Sequence, residues 1–212
     1  MGIPVLIMGE SGSGKSCSMR NFKSDEVGIF NVAGKPLPFR GNLPKVNNAK
    51  YAEIIKGLKV AKVKSFVIDD SQFLMAFEMF DRAKEVGYNK FTESFLNMRN
   101  LVDFIIRGTP DNYIVYFLHH TETTETGRVK AKTYGKMMDN QLTFESLFSI
   151  VLLCKTDGQE HYFETQSDGF TTCKSPMEMF EDLEIDNDLK MVDTVIRDYY
   201  GLNKTEDKGD ES

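Results

Sequence analysis

The sequence predicts an α/β fold: a mostly parallel sheet flanked by helices, with an antiparallel β extension and a final helix toward the C-terminus. Three observations predict it. Short continuous apolar runs at residues 3–8, 27–32, 65–68 and 113–118 read as strands buried on both faces, the habit of parallel sheets. Segments with apolar residues at helical spacing lie between them. Past residue 120 this alternation stops, and two apolar runs at 149–154 and 161–165 flank Asp157-Gly158, a hairpin signal.

Each element has its own local reason. The run Ile-Pro-Val-Leu-Ile-Met at 3–8 ends in a glycine-rich stretch at 9–14, and a helix is expected over 15–22. The run at 27–32 is broken by Ala33-Gly34 and then by Pro36 and Pro38. Residues 45–64 carry Lys45, Lys50, Lys56, Lys59, Lys62 and Lys64 against the single acid Glu53. Ala52, Ile55 and Leu58 recur there at a spacing of three, which predicts a helix with one apolar stripe and a solvated basic face. After 65–68, Phe73, Phe77 and Phe80 predict one helix and Gly87 a break. Phe91, Phe95, Met98, Val102 and Ile105 predict a second, closed by Gly108 and Pro110. The spacing of these phenylalanines reads as core. The run at 113–118 ends in His119-His120, a polar stretch with a turn at Gly127 follows, and a last helix is expected over 187–200. Residues 1–202 form one domain in this reading, and 203–212 a polar, acidic, frayed tail.

Composition narrows the class. At 212 residues, 41% hydrophobic and 27% charged, the chain can bury a core without disulfides or a structural metal, and disorder is excluded as its dominant state. The net charge of −6 is uneven: residues 176–212 hold 12 acids and 4 bases, which leaves the remainder slightly positive. The acidic balance therefore does not argue against a nucleic-acid partner. Cys17, Cys154 and Cys173 are scattered and form no CxxC, so reduced thiols in a cytoplasmic setting are expected. No stretch approaches the roughly 20 apolar residues of a membrane helix, and no membrane partner is expected.

Gly9-Glu10-Ser11-Gly12-Ser13-Gly14-Lys15-Ser16 matches G-x-x-x-x-G-K-[ST] in full, with Cys17 at its end. Strand before and helix after are the context that the pattern requires. Backbone N–H groups of such a loop curl around phosphates, and a helix N-terminus adds its positive end. Lys15 is placed to reach the β- and γ-phosphates of ATP, and the Ser16 hydroxyl to ligate Mg²⁺.

A second metal-binding carboxylate is needed at another strand end, and Asp69 closes the run Phe66-Val67-Ile68. Asp70 has two readings: general base for the attacking water, or cap of the next helix. Glu10 and Glu26 are weaker candidates for the base. His119 and His120 end the next strand, where a polar side chain can sense a γ-phosphate. Strand alternation sends the two to opposite faces, and His120 is favoured for the nucleotide side. His161 is distant in sequence, and no zinc pattern includes it.

Residues 127–136 hold Arg128, Lys130, Lys132 and Lys136 and no acid. On a strand, Arg128, Lys130 and Lys132 share a face. Three uses are open: binding the phosphates of single-stranded DNA, reaching a neighbouring subunit's ATP as a finger in trans, or keeping an edge strand solvated. Tyr134, among these bases, is a candidate for stacking on a base.

This order of parts resembles the RecA-like core ATPases. More closely, it is similar to the phage nucleotide-binding P-loop proteins of Gram-positive bacteria, which are encoded beside recombination and single-strand-binding genes. The likeness is carried by residues 9–16, 28–38, 67–72, 118–121, 135–140 and 172–176. It implies a Mg-ATP-dependent ATPase that binds single-stranded DNA and assists homologous recombination or annealing. It also implies a ring or short filament with ATP at subunit interfaces, an association with a phage single-strand-binding or annealing protein, and the cytoplasm of a bacterial host. The sequence departs from RecA after the second strand, where Gly34-Lys35-Pro36 holds no acid. Two other classes fit the loop: a nucleotide-controlled switch or helicase-loader-like assembly protein with little turnover, and a P-loop small-molecule kinase.

Overall fold

The computed structural model describes residues 1–87, 89–134 and 142–203. Its centre is a mixed, mostly parallel sheet. In chain order the strands are β1 (Ile3–Gly9), β2 (Val27–Asn31), β3 (Lys45–Asn47), β4 (Ser65–Asp69), β5 (Ile114–Thr123), β6 (Val129–Ala131), β7 (Ile150–Thr156), β8 (His161–Glu164) and β9 (Glu184–Asp186). In space the order is β3-β2-β4-β5-β1-β7-β8-β9, with β6 paired to the far end of β5. The pairs from β3 through β7 are parallel, whereas β5–β6, β7–β8 and β8–β9 are antiparallel. The α/β class and the antiparallel extension expected from the sequence are both present.

Both faces of the central strands are apolar, and the pleat divides them. Leu6, Met8, Val115 and Phe117 face α1 (Tyr51–Val60), α2 (Gln72–Asp81) and α3 (Asn89–Gly108). Val5, Ile7, Ile114, Tyr116 and Leu118 face the other layer, which includes α4 (Leu189–Tyr199). Leu189, Val192 and Ile196 of α4 are fully buried there, each contributing about 1.5–3 kcal/mol. Asp188 caps α4 by accepting from the backbone N–H groups of Lys190 and Met191. A buried polar cluster fixes the same helix to the sheet. Asp193 accepts from Ser65 Oγ at 2.7 Å, Tyr116 Oη at 3.0 Å and Arg197 Nε at 2.7 Å.

Several expectations need correction. The helix expected over 15–22 is a 3-10 helix, Ser16–Asn21. Residues 45–64 are not one helix: β3 comes first, and α1 buries Ile54 and Leu58 instead of a stripe through Ala52. Lys45–Asn47 is exposed, and its strand character comes from pairing with β2, which no local pattern reveals. Strand β5 does not stop at residue 118 but runs through both histidines to Thr123. Phe77 and Phe80 are not core, being 41% and 72% exposed, because α2 turns Leu74, Met75 and Ala76 inward. Phe95 is buried as expected. Among the described residues no helix is long and apolar enough to cross a membrane.

Candidate functional site

The C-terminal ends of β1, β4 and β5 open into one cleft of about 240 Å³. The register makes this edge level: Gly9 pairs with His120 on one side and Cys154 on the other, and Asn31 pairs with Asp69. Strand β5 lies between β1 and β4, so its end reaches the cleft midway between the glycine-rich loop and Asp69. Ser11, Gly12, Gly14, Lys15, Ser16 and Cys17 line one side of the cleft, facing Asp69, Asp70 and His120.

The loop is held from beneath. Lys15 is buried, and its ammonium donates to the carbonyls of Gly9 at 2.8 Å and Glu10 at 2.7 Å. Burial lowers its pKa, against the opposing charges of Asp70 and Asp69. Gly14 has φ of 102°, and a Cβ there would sit 2.9 Å from the His161 ring. Both the conformation and the space therefore require glycine. His161 shares a hydrogen bond of 2.8 Å between Nδ1 and the Ser13 carbonyl, and Cys154 Sγ donates to the same oxygen. The Ser13 hydroxyl is buried and has no hydrogen-bond partner among the described residues.

Opposite the loop, Ser16 Oγ donates to Asp69 Oδ1 at 2.7 Å, across 53 residues of sequence. Burial raises the Asp69 pKa, while the Ser16 hydrogen bond acts the other way. Asp70 takes φ of 58° and turns its carboxylate into the cleft. It receives Lys35 Nζ on Oδ2 at 2.9 Å and meets His120 Nε2 at Oδ1 at 3.3 Å. Burial pushes its pKa up, but hydrogen bonds from His120 and Lys35 outweigh this and hold it at about 2. The capping reading fails on geometry: the Asp70 carbonyl, not its carboxylate, accepts from Phe73 N at the start of α2.

The two histidines do separate by pleat. His119 is fully buried, with Nδ1 2.9 Å from Ser71 Oγ and Nε2 2.8 Å from the Lys132 carbonyl. His120 lines the cleft and leans toward the Phe73 ring. Glu10 is exposed, and Glu26 is engaged by Lys190 at 2.9 Å, outside the cleft lining. The basic segment forms a hairpin with the end of β5 and stands apart from the cleft lining. Lys130 pairs with Glu122 at 3.0 Å, while Arg128 and Lys132 are exposed at either end of β6. Tyr134 is partly buried against the core, and Lys136 lies outside the described residues. Residues 135–140 and 204–212 lie outside them as well.

Sequence reasoning missed Lys35 and His161. Lys35 follows a strand end by four residues, a placement no motif marks. His161 comes to the loop only through the β7–β8 hairpin, 148 residues from Ser13. No protein-family model matches the chain, and no curated protein matches it.

Among the described residues no cluster of three or more His, Cys, Asp or Glu is placed to hold a metal. The donor set nevertheless suits one ion type. Ser16 Oγ and Asp69 Oδ1 are hard oxygens brought to 2.7 Å, and Mg²⁺ in nucleotide sites takes few protein oxygens and completes its shell from phosphate and water. The Lys15 ammonium beside the loop fits an anionic group on the other side.

Proposed function

We propose that the chain is a P-loop ATPase with a RecA-like core, which binds Mg-ATP in this cleft. Its work would be phage DNA recombination or single-strand annealing. The observation that carries the nucleotide reading is the convergence of Lys15, Ser16 and Asp69, from two strand ends, on one small cleft. ATP supplies the phosphoanhydride to be cleaved. The chain's own groups supply the rest. The Lys15 ammonium puts positive charge at the loop, and Ser16 and Asp69 would hold a Mg²⁺ ion that offsets phosphate charge. Asp70 is the carboxylate at the cleft wall that would accept a proton from water once one of its oxygens is released, and His120 orients it.

The 3-10 geometry of Ser16–Asn21 reduces what a helix dipole adds, because only a short run of peptides is aligned. Binding then rests on the loop amides and Lys15. Arg128 and Lys132 are the exposed cations offered to single-stranded DNA or to a neighbouring subunit in a ring or short filament. A phage single-strand-binding or annealing protein is the expected associate, in the cytoplasm of a bacterial host.

A second reading, the nucleotide-controlled switch with little turnover, is favoured by one observation. Asp70 has both oxygens engaged and low basicity, whereas an efficient general base has a pKa near the working pH. One experiment separates the readings: steady-state ATP hydrolysis with and without single-stranded DNA, at low and physiological salt, with Lys15→Ala as control. Stimulation by DNA that vanishes in Lys15→Ala supports the recombination ATPase. ATP binding without stimulated turnover favours the switch. Wild-type protein that binds no ATP, or a folded Lys15→Ala that binds it unchanged, overturns the nucleotide reading.

A further inference from the structure

We infer that Lys35 reads the third phosphate of the bound nucleotide, and that it releases Asp70 when it does so. The inference rests on the nucleotide reading above and names a residue for which the glycine-rich motif has no place.

The backbone around Lys35 is fixed. Val32 N donates to the Asp69 carbonyl at 3.2 Å, which ties the loop to the end of β4. Asn31, only 2% exposed, donates from Nδ2 to the Lys35 carbonyl at 2.6 Å and to Asn47 Oδ1 at 3.0 Å. Gly34 has φ of 68°, and a Cβ there would fall 2.3 Å from Asn48 Oδ1. The Lys35 side chain, by contrast, is 61% exposed. A pinned root with a free end is what a cation needs if it is to change partners without moving the chain.

Its present partner is Asp70, at 2.9 Å, with the ammonium 5.0 Å from the centre of the Phe73 ring. It lines the cleft together with Lys15, Ser16, Asp69 and His120. The described lining thus has two ammonium groups, Lys15 and Lys35, and two carboxylates, Asp69 and Asp70. Lys15 sits on the loop carbonyls and Asp69 on Ser16, so Lys35 is the cation held by an exchangeable carboxylate at the cleft wall. A terminal phosphate carries more negative charge than a carboxylate and competes for that ammonium. When Lys35 leaves, Asp70 Oδ2 becomes free to meet a water. A diphosphate has no third phosphate to draw Lys35 away, and Asp70 stays engaged. The same pair therefore distinguishes triphosphate from diphosphate and holds the carboxylate back until the triphosphate is present.

The test compares two probes, the Mg²⁺ complexes of ADP and of the non-hydrolysable imido analogue of ATP, by titration calorimetry on wild-type protein, Lys35→Met and Lys35→Arg. In Lys35→Met the analogue is expected to lose about tenfold or more in affinity, one charge-assisted hydrogen bond, with ADP changing less than about twofold. Lys35→Arg keeps the preference, because the cation is retained. Equal losses for both probes, or no loss for either, overturn the assignment of Lys35 and leave nucleotide binding standing. Wild-type protein that binds neither probe overturns the nucleotide reading and this inference with it.

Discussion

His119 makes the stability of this protein sensitive to acid. Its ring is fully buried, between Ser71 and the Lys132 carbonyl and against Phe144 at 4.8 Å between ring centres. Burial, only partly opposed by the hydrogen bond to Lys132, draws its pKa from the ordinary 6.5 down to about 4. The folded state therefore holds a neutral ring in a range where the unfolded chain is already protonated. Above pH 6.5 both states are neutral, and His119 contributes no pH dependence. Below it the unfolded state binds the extra proton, so stability falls with pH until the folded ring protonates near pH 4. Each pH unit in that window removes about 1.36 kcal/mol, so pH 4.5 costs the wild type about 2.7 kcal/mol. For a chain of this size that is roughly 5–11 °C in Tm. Asp69 works in the opposite sense, since its raised pKa relieves a cost as pH falls. Asp70 loses its contribution only below the ordinary carboxylate range. Comparison with a variant cancels both. Urea unfolding of wild type and His119→Gln at pH 7.5 and pH 4.5 is the assay. The variant should be less stable at pH 7.5, having lost the ring contacts, yet lose about 2.7 kcal/mol less than wild type on acidification. Parallel losses in the two proteins would refute the argument. Nucleotide binding at pH 7.5 should survive in His119→Gln, because the ring lies outside the cleft lining.

Asp193→Ala should destabilise the fold by about 3–5 kcal/mol in urea unfolding, since it strands a buried Arg197 along with the Tyr116 and Ser65 hydroxyls. The nucleotide affinity of the folded fraction should not change, and a loss below about 1 kcal/mol would mean that water replaces the carboxylate. Charge reversal of Arg128 and Lys132 together should weaken single-stranded DNA binding and flatten its salt dependence. If ATP hydrolysis falls while DNA binding holds, the two act on a neighbouring subunit, and if neither changes, the hairpin is only a solvated edge.

Much of the site was legible because its parts are local. The strand-loop pattern around Gly9–Ser16 occupies a few consecutive residues, and Asp69 ends an apolar run, so its place at the sheet edge followed from the fold class. Pleat parity set His119 and His120 on opposite faces, and the structure decided that His120 is the one lining the cleft. The error over Phe77 and Phe80 has a plain cause. Helical spacing shows that a stripe exists but not which stripe faces the sheet, and Gln72, Met75 and Ala76, with Leu74 beside them, form the face that is buried. The lysines of the basic hairpin looked equivalent in sequence, but cross-strand pairing with Glu122 set Lys130 apart.

The sequence by itself determined the central strands, the glycine-rich loop after β1 and the acid at the end of β4, because hydrophobic period and turn chemistry act over neighbouring residues. Only the tertiary structure decided what surrounds them. β3 and β9 are three residues each and exist as strands through their partners. Lys35 meets Asp70 across 35 residues and His161 meets Ser13 across 148. Such meetings depend on strand order, register and loop path together, and these are settled by long-range burial and pairing, which leave no mark at either position in the chain.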